Sequence, residues 1–309
     1  MIVAHVSMTP IAGACWSWSE AFKEAGYESF CVCPRGYADG RAMPSDYDWP
    51  PSLDDIERIH NADVIFAYQG HPYKQPWYPK DHPTVGIYVS QPSHCWRSLE
   101  DDGWPWAVDG EYQTRLYGDD AIPVPELIPL RHPWYQPAVK PVGVVRIVWS
   151  PTNTHLTGWD DKGYTGTIQI LEALASSGKP VEIDVIRNVP LEECLRRKAS
   201  AHVAIDECVT GSFHGCSIEA LALGALAVNN CDALCTQNIH RMTGGALHPF
   251  AVTPMGGLAD ALAEMVELGP EAMEMVGKAC REWVLREWNP AEMIERNFLP
   301  LIERAMANA

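Results

Sequence analysis

Short apolar, β-branched runs alternate with longer segments of helical period along most of this chain, and that alternation leaves few folds open. In the first half, strands are read at Ile2–Ser7, Ser29–Cys33, Val64–Tyr68 and Thr84–Val89, with helices at Ala14–Ala25 and Leu53–His60. The second half has strands at Val144–Trp149, Val181–Ile186, Ala201–Ile205 and Leu226–Asn229, and helices at Tyr164–Ser176, Leu191–Ala199 and Ser217–Leu223. Three further helices are read at Leu258–Leu268, Pro270–Arg286 and Pro290–Met306. Strands joined through helices pair parallel, so each half predicts an α/β module on a parallel sheet. Prolines crowd the stretch from Ile122 to Pro141, break regular structure and place a domain boundary near Pro141. The predicted domains are 1–141 and 142–289, with a last helix, 290–309, packing back on the first. In open parallel sheets ligands bind beyond the carboxyl ends of the strands, here in a cleft that the two modules face.

Charge narrows the partners. Forty acidic residues oppose 23 basic ones, a formal charge of −17, whereas nucleic-acid binding draws most of its affinity from Lys and Arg on phosphates. A nucleic-acid partner is therefore disfavoured. No run of 18 uncharged apolar residues occurs and Met1–Val6 lacks a basic segment and long apolar core, so the expectation is a cytoplasmic protein without an integral membrane segment. The 10 cysteines show no C-x-x-C spacing and read as reduced, buried small residues. Cys231 and Cys235 lack two further ligands nearby, so no metal site is expected. The chain has no G-x-S-x-G elbow, Walker A loop or H-E-x-x-H, and T-P-I-A-G-A offers one glycine where a dinucleotide site wants three.

The most informative stretch is D-E-C-V-T-G-S-F-H-G-C-S-I-E-A-L-A-L-G, Asp206 to Gly224. It runs from a strand end through a small polar turn into an apolar helix read as carrying Glu219 in its first turn. Strand, turn and helix start together predict unpaired backbone N–H groups that suit a phosphate, with a carboxylate that suits hydroxyl groups. An ordinary βα turn is the competing reading.

With W-S-P-T-N (Trp149–Asn153), D-K-G (Asp161–Gly163) and N-V-P-L-E-E-C (Asn188–Cys194), that stretch resembles the nucleotide-sugar domain of a GT-B-fold glycosyltransferase, most like glycosyltransferase family 4. V-P-E-L-I-P-L (Val124–Leu130) resembles the family's linker, and Gly13 its N-terminal glycine loop. The resemblance covers most of residues 142–300 and is looser over the first 120. It implies a retaining, metal-independent transferase that uses a nucleotide-diphospho-sugar as co-substrate and no further cofactor, with an acceptor that can be a glycan, a small molecule or a nucleic acid. One departure stands out. The family's two glutamates lie eight positions apart; the second is Glu219, but the first falls on Gly211.

The resemblance assigns Glu219 to the ribose hydroxyls. Lys162 and Arg187 are candidates for the donor diphosphate, where cations stabilise the charge that grows on the leaving group. His71, after the strand Val64–Tyr68, is a candidate for orienting the sugar or moving a proton. Gly13, Asn153, Thr210, Gly211, Ser212 and His214 complete the predicted donor site, the Thr210 and Ser212 hydroxyls and the Gly211 and Ser212 N–H groups standing in for the missing glutamate. For each charged residue the alternative is a surface group or a helix-start acid. Two other functions stay open: a nucleic-acid base glycosyltransferase of viral type, and a non-catalytic nucleotide-binding partner subunit.

Overall fold

The computed structural model describes residues 1–36, 42–89, 96–111, 114–118, 120–151 and 162–309. The chain divides into unit 1, Met1–Arg131 with Arg241–Gly244 and Asn289–Ala309, and unit 2, His132–His240 with Gly245–Trp288. Pro141, where the proline run suggests a boundary, lies within unit 2.

In unit 1 the elements are β1 (Ile2–Val6), α1 (Ala14–Glu24), β2 (Glu28–Val32), α2 (Leu53–His60), β3 (Val64–Tyr68), β4 (Thr84–Tyr88), α3 (Trp96–Asp101), β5 (Trp106–Asp109), α4 (Thr114–Tyr117) and β6 (Pro123–Val124). The six strands form one parallel sheet in the order β2-β1-β3-β4-β5-β6. Sequence reading stops at β4. The stretches that hold β5 and β6 look like loop because they are rich in Trp and Pro and the strands are too short to show a period. Pro123 opens β6 at the sheet edge, where its missing N–H costs no ladder bond. The strand order reverses between β1 and β3, the topological switch point at which such sheets present loops to ligands.

The core of unit 1 is aromatic. Trp18 and Phe22 on α1 and Phe66 on β3 meet Phe298 from the far end of the chain, with ring centroids 5.3 to 6.0 Å apart. Burying one such ring stabilises the unit by about 1.5–3 kcal/mol. Phe298 belongs to a helical run that is not the single helix expected from Pro290 to Met306. It is α11 (Pro290–Met293), a π-helical segment Ile294–Phe298, and α12 (Leu299–Asn308), numbered after the helices of unit 2. Pro300 explains the break: it has no N–H for the carbonyl of Arg296 and its ring crowds that position, so the ladder changes register.

His5 on β1 is fully buried between Phe22 and Phe66, with Nδ1 2.9 Å from the Tyr68 hydroxyl. Burial, helped by the charge of Lys23, lowers its pKa to about 3. The folded state thus holds His5 neutral while the unfolded chain titrates near 6.5, so its contribution is whole above about pH 6.5 and lost as pH falls toward 3. His202 and His248 are lowered too and act in the same sense. The urea midpoint is expected to decline from pH 6.5 downward, and His5→Phe to flatten that decline. An equally steep acid limb in the variant would contradict this account.

Unit 2 contains β7 (Val145–Trp149), α5 (Tyr164–Ala175), β8 (Val181–Val185), α6 (Leu191–Ala199), β9 (Val203–Ile205), α7 (Gly215–Ala222), β10 (Leu226–Asn229), α8 (Ala233–Thr243, whose last residues belong to unit 1), β11 (Ala251–Val252), α9 (Leu258–Leu268) and α10 (Pro270–Glu287). Its five strands are parallel in the order β11-β10-β9-β7-β8, with the switch point between β7 and β9. The segment after His132 packs on this unit: Ala138 N–H donates to Ala199 O at 3.1 Å and Arg281 Nη1 to Tyr135 O at 2.9 Å. The carbonyls that end α7 receive cations, Ala222 O from Arg281 and Gly224 O from Lys140. On α10, a Cβ at Gly277 would overlap the Gly224 carbonyl oxygen, so glycine lets the helix touch the backbone that leaves α7. Among the described residues no helix is long and apolar enough to cross a membrane.

Candidate functional site

The Asp206–Gly224 stretch leaves β9 at the switch point of unit 2. Trp149, the last residue of β7, donates its indole N–H to Asp206 O at 3.1 Å and so ties the two strand ends together. Asp206 then organises the turn. Its Oδ2 accepts His214 N–H at 2.6 Å and the Ser217 hydroxyl at 2.8 Å, and its Oδ1 lies 3.0 Å from His214 Nδ1. Asn229 Nδ2 donates to Ser217 Oγ at 2.9 Å, linking the network to β10. Burial by itself would raise the Asp206 carboxyl, but the His214 imidazole beside it, with the Lys162 ammonium beyond, outweighs that and holds the group well below the ordinary carboxylate range.

With Asp206 ionised, His214 Nδ1 donates and Nε2 is left to accept. Lys162 Nζ stands 2.7 Å from Nε2. Lysine, histidine and aspartate therefore form one chain of hydrogen bonds that fixes an ammonium group at the mouth of the turn. Lys162 precedes α5, whose start is built on Gly163 at φ +72°. A Cβ there would overlap the Met255 methyl group and lie 2.7 Å from Val209 Cγ2, so the turn and the start of α5 pack directly together.

Arg187, beyond β8, is exposed and donates to the Tyr164 hydroxyl, with its guanidinium 5.5 Å from the Tyr164 ring centroid. Tyr164 in turn lies 5.5 Å from Trp149 between ring centroids. Lys162 and Arg187 thus flank the same helix start, each on a different partner.

Several expectations change in detail. The turn does not offer all its N–H groups to an anion, because buried Glu207 takes those of Val209 at 2.8 Å and Thr210 at 2.9 Å, and the Thr210 hydroxyl as well. The Ser212 side chain is fully buried and donates to Phe213 O at 2.7 Å. Both hydroxyls thus donate within the turn itself. Helix α7 begins at Gly215, two residues earlier than its apolar pattern suggests, so Glu219 lies in the second turn and not the first. This weakens the helix-start explanation of Glu219, since the dipole's influence is confined to the terminal turn.

Glu219 has a partner that sequence reading missed. Its Oε2 is 2.7 Å from Lys198 Nζ, with only 15% and 4% of the two side chains exposed. Burial would strip the lysine's proton, but Cys194 and Glu219 beside it outweigh that and raise its pKa. A signal was present: Leu191, Leu195, Lys198 and Ala199 form the buried stripe of α6, and a lysine on such a stripe needs a buried acid. Among the described residues Oε1 of Glu219 has no protein partner.

The remaining predicted residues lie elsewhere. Gly13 (φ +87°) precedes α1 in unit 1, and His71 follows β3 after Gln69 and Gly70, both in left-handed conformation, so the two loops bracket that unit's switch point. Asn153 lies outside the described residues. Asp109, which sequence reading did not single out, ends β5; burial with Glu111 and Glu126 nearby pushes its carboxyl well up, and Oδ1 has no partner among the described residues.

No protein-family model and no curated protein sequence matches the chain. Solved structures do match it. AviGT4, a glycosyltransferase involved in avilamycin A biosynthesis, is 17% identical with TM-score 0.59 over 100% of this chain and 99% of that one. An alpha-glucosyltransferase in complex with UDP and a 13-mer DNA containing an HMU base is 10% identical with TM-score 0.65, over 98% and 99%. Sucrose-phosphate synthase from Thermosynechococcus elongatus is 12% identical with TM-score 0.54, over 100% of both chains. The fold is that of GT-B glycosyltransferases. Gly211 takes φ +77°, a conformation that a glutamate at this position would adopt only with strain.

Proposed function

We propose that the chain is a glycosyltransferase that moves a sugar from a nucleotide-diphospho-sugar to an acceptor. The observation that carries this reading is the Lys162 ammonium, oriented through His214 by the Asp206 carboxylate at the switch point of unit 2. Departure of a nucleoside diphosphate puts negative charge on the bridging oxygen. A cation already fixed in place meets that charge without reorganising, and so favours the transition state over the ground state. In this reading Arg187 shares the diphosphate, Glu219 Oε1 accepts from the ribose hydroxyls, and unit 1 holds the acceptor with His71 orienting the sugar or relaying a proton. Charge neutralisation by side chains supports a metal-independent reaction, and the family-4 pattern supports retention of configuration. The charge of −17 favours a glycan or small-molecule acceptor over a nucleic acid.

Thermal shift with UDP, GDP and ADP tests the donor side, and at least one is expected to raise Tm. Lys162→Ala is expected to weaken that nucleotide about 10- to 100-fold, the value of a hydrogen bond to a charged group, while leaving the fold intact. Indifference to all three nucleotides would sink the transferase reading. Binding without donor hydrolysis or transfer across a panel of nucleotide sugars would favour a non-catalytic partner subunit.

A further inference from the structure

Three cysteines that are far apart in the sequence meet in unit 1. Cys31 and Cys33 are two residues apart at the end of β2, so their side chains leave the same face of the sheet. Helix α1 connects β1 to β2 and starts above the carboxyl ends of both strands, which brings its second residue, Cys15, to that face. The three Sγ atoms lie within 4.8 Å of one another. All three residues are buried, at 0%, 0% and 1% exposure, and all are free thiols.

We propose that Cys15, Cys31 and Cys33 form a trithiolate site for a thiophilic d10 metal ion, with three-coordinate copper(I) as the best fit. Sulfurs bound at about 2.3 Å in a trigonal plane stand about 4 Å apart, so small χ1 rotations close the site. Among the described residues no histidine or carboxylate joins the group, and a donor set of sulfur alone selects soft ions. Ser45 is a polar neighbour of the group, with Oγ 3.5 Å from Cys31 Sγ. It is committed to the backbone, accepting Cys33 N–H at 3.1 Å and lying 2.5 Å from Tyr47 O, so it steadies the strand end and is not a fourth ligand. Zinc in a structural site wants four ligands, and this site supplies three. On binding, each thiol loses its proton to solvent and its sulfur forms one bond to the ion, with no change of oxidation state. The ion ties the start of α1, two residues beyond Gly13, to β2.

The test uses the full chain, reduced and kept anaerobic, with copper(I) offered as its bicinchoninate complex and zinc(II) in a parallel arm. One equivalent of copper(I) is expected to pass to the protein and raise Tm, with X-ray absorption showing a shell of three sulfurs. Cys15→Ser/Cys33→Ser is expected to lose the uptake, and Cys231→Ala/Cys235→Ala to keep it. Zinc(II) held in preference to copper(I) overturns the choice of ion. Absence of uptake of either metal overturns the site, as does a disulfide involving Cys15 that forms in place of uptake. Should the first double variant fail to fold, the sulfur count on the unaltered protein decides: a shell containing nitrogen, or only two sulfurs, rules out the trithiolate.

Discussion

Lys198→Met is expected to destabilise the protein by about 3–5 kcal/mol, read as a lower urea midpoint, because it strands the Glu219 carboxylate in a largely closed site. The lysine is not simply worth that amount, since most of the loss is the cost of an unpaired acid. Lys198→Met/Glu219→Met removes both charges, keeps similar volume and is expected to recover most of the stability. The pair of variants also separates structure from recognition. If Oε1 of Glu219 reads the ribose, the double variant folds but binds the nucleotide weakly. Stability that stays low in the double variant would show that Lys198 matters for some reason other than its partner.

Asp206→Ala carries an effect of similar size, about 3–5 kcal/mol, because three donors converge on this carboxylate: His214 N–H, His214 Nδ1 and the Ser217 hydroxyl. Nucleotide binding should fall with it, since His214 loses the partner that holds it under Lys162. Asp206→Asn retains one acceptor oxygen and is expected to fall between. The pH dependence identifies the cause. The folded-state pKa is lowered, so the stabilisation is complete above the ordinary aspartate value of about 3.9 and vanishes as pH falls through the folded value. Wild type and Asp206→Asn should therefore converge in stability as the medium is made more acid than about pH 4. A gap that stays constant down to pH 2 would place the energy elsewhere.

Periodicity made most of the scaffold legible, and the reasons differ between elements. Leu191–Ala199, Leu226–Asn229 and Leu258–Leu268 carry strong apolar patterns with clear breaks on either side, and their bounds match the structure. β5, β6 and β11 are two to four residues long and carry no period to read. The closing helix changes register because one proline, Pro300, sits inside an otherwise helical pattern. For the site, residue types suggested Lys162, His214 and Glu219, but not how they are used. Hydrogen bonding between Lys162 and His214 spans 52 positions, and that between Glu219 and Lys198 spans 21, distances at which local propensity says nothing. The same limit concealed Glu207, a carboxylate turned inward on its own turn where sequence offered open N–H groups.

Helix α7 has a charge of the complementary sign near each end: the Asp206 carboxylate accepts the N–H of His214, the residue before Gly215, and Arg281 and Lys140 hold the carbonyls of Ala222 and Gly224. Its dipole is thereby partly balanced inside the protein. A phosphate arriving at this end meets a carboxylate beside the helix start, in a chain whose overall charge repels it. Long-range attraction for anions is accordingly faint, and capture depends on contacts made within a few ångströms. Such a unit gains little association speed from low ionic strength and loses little occupancy to added salt.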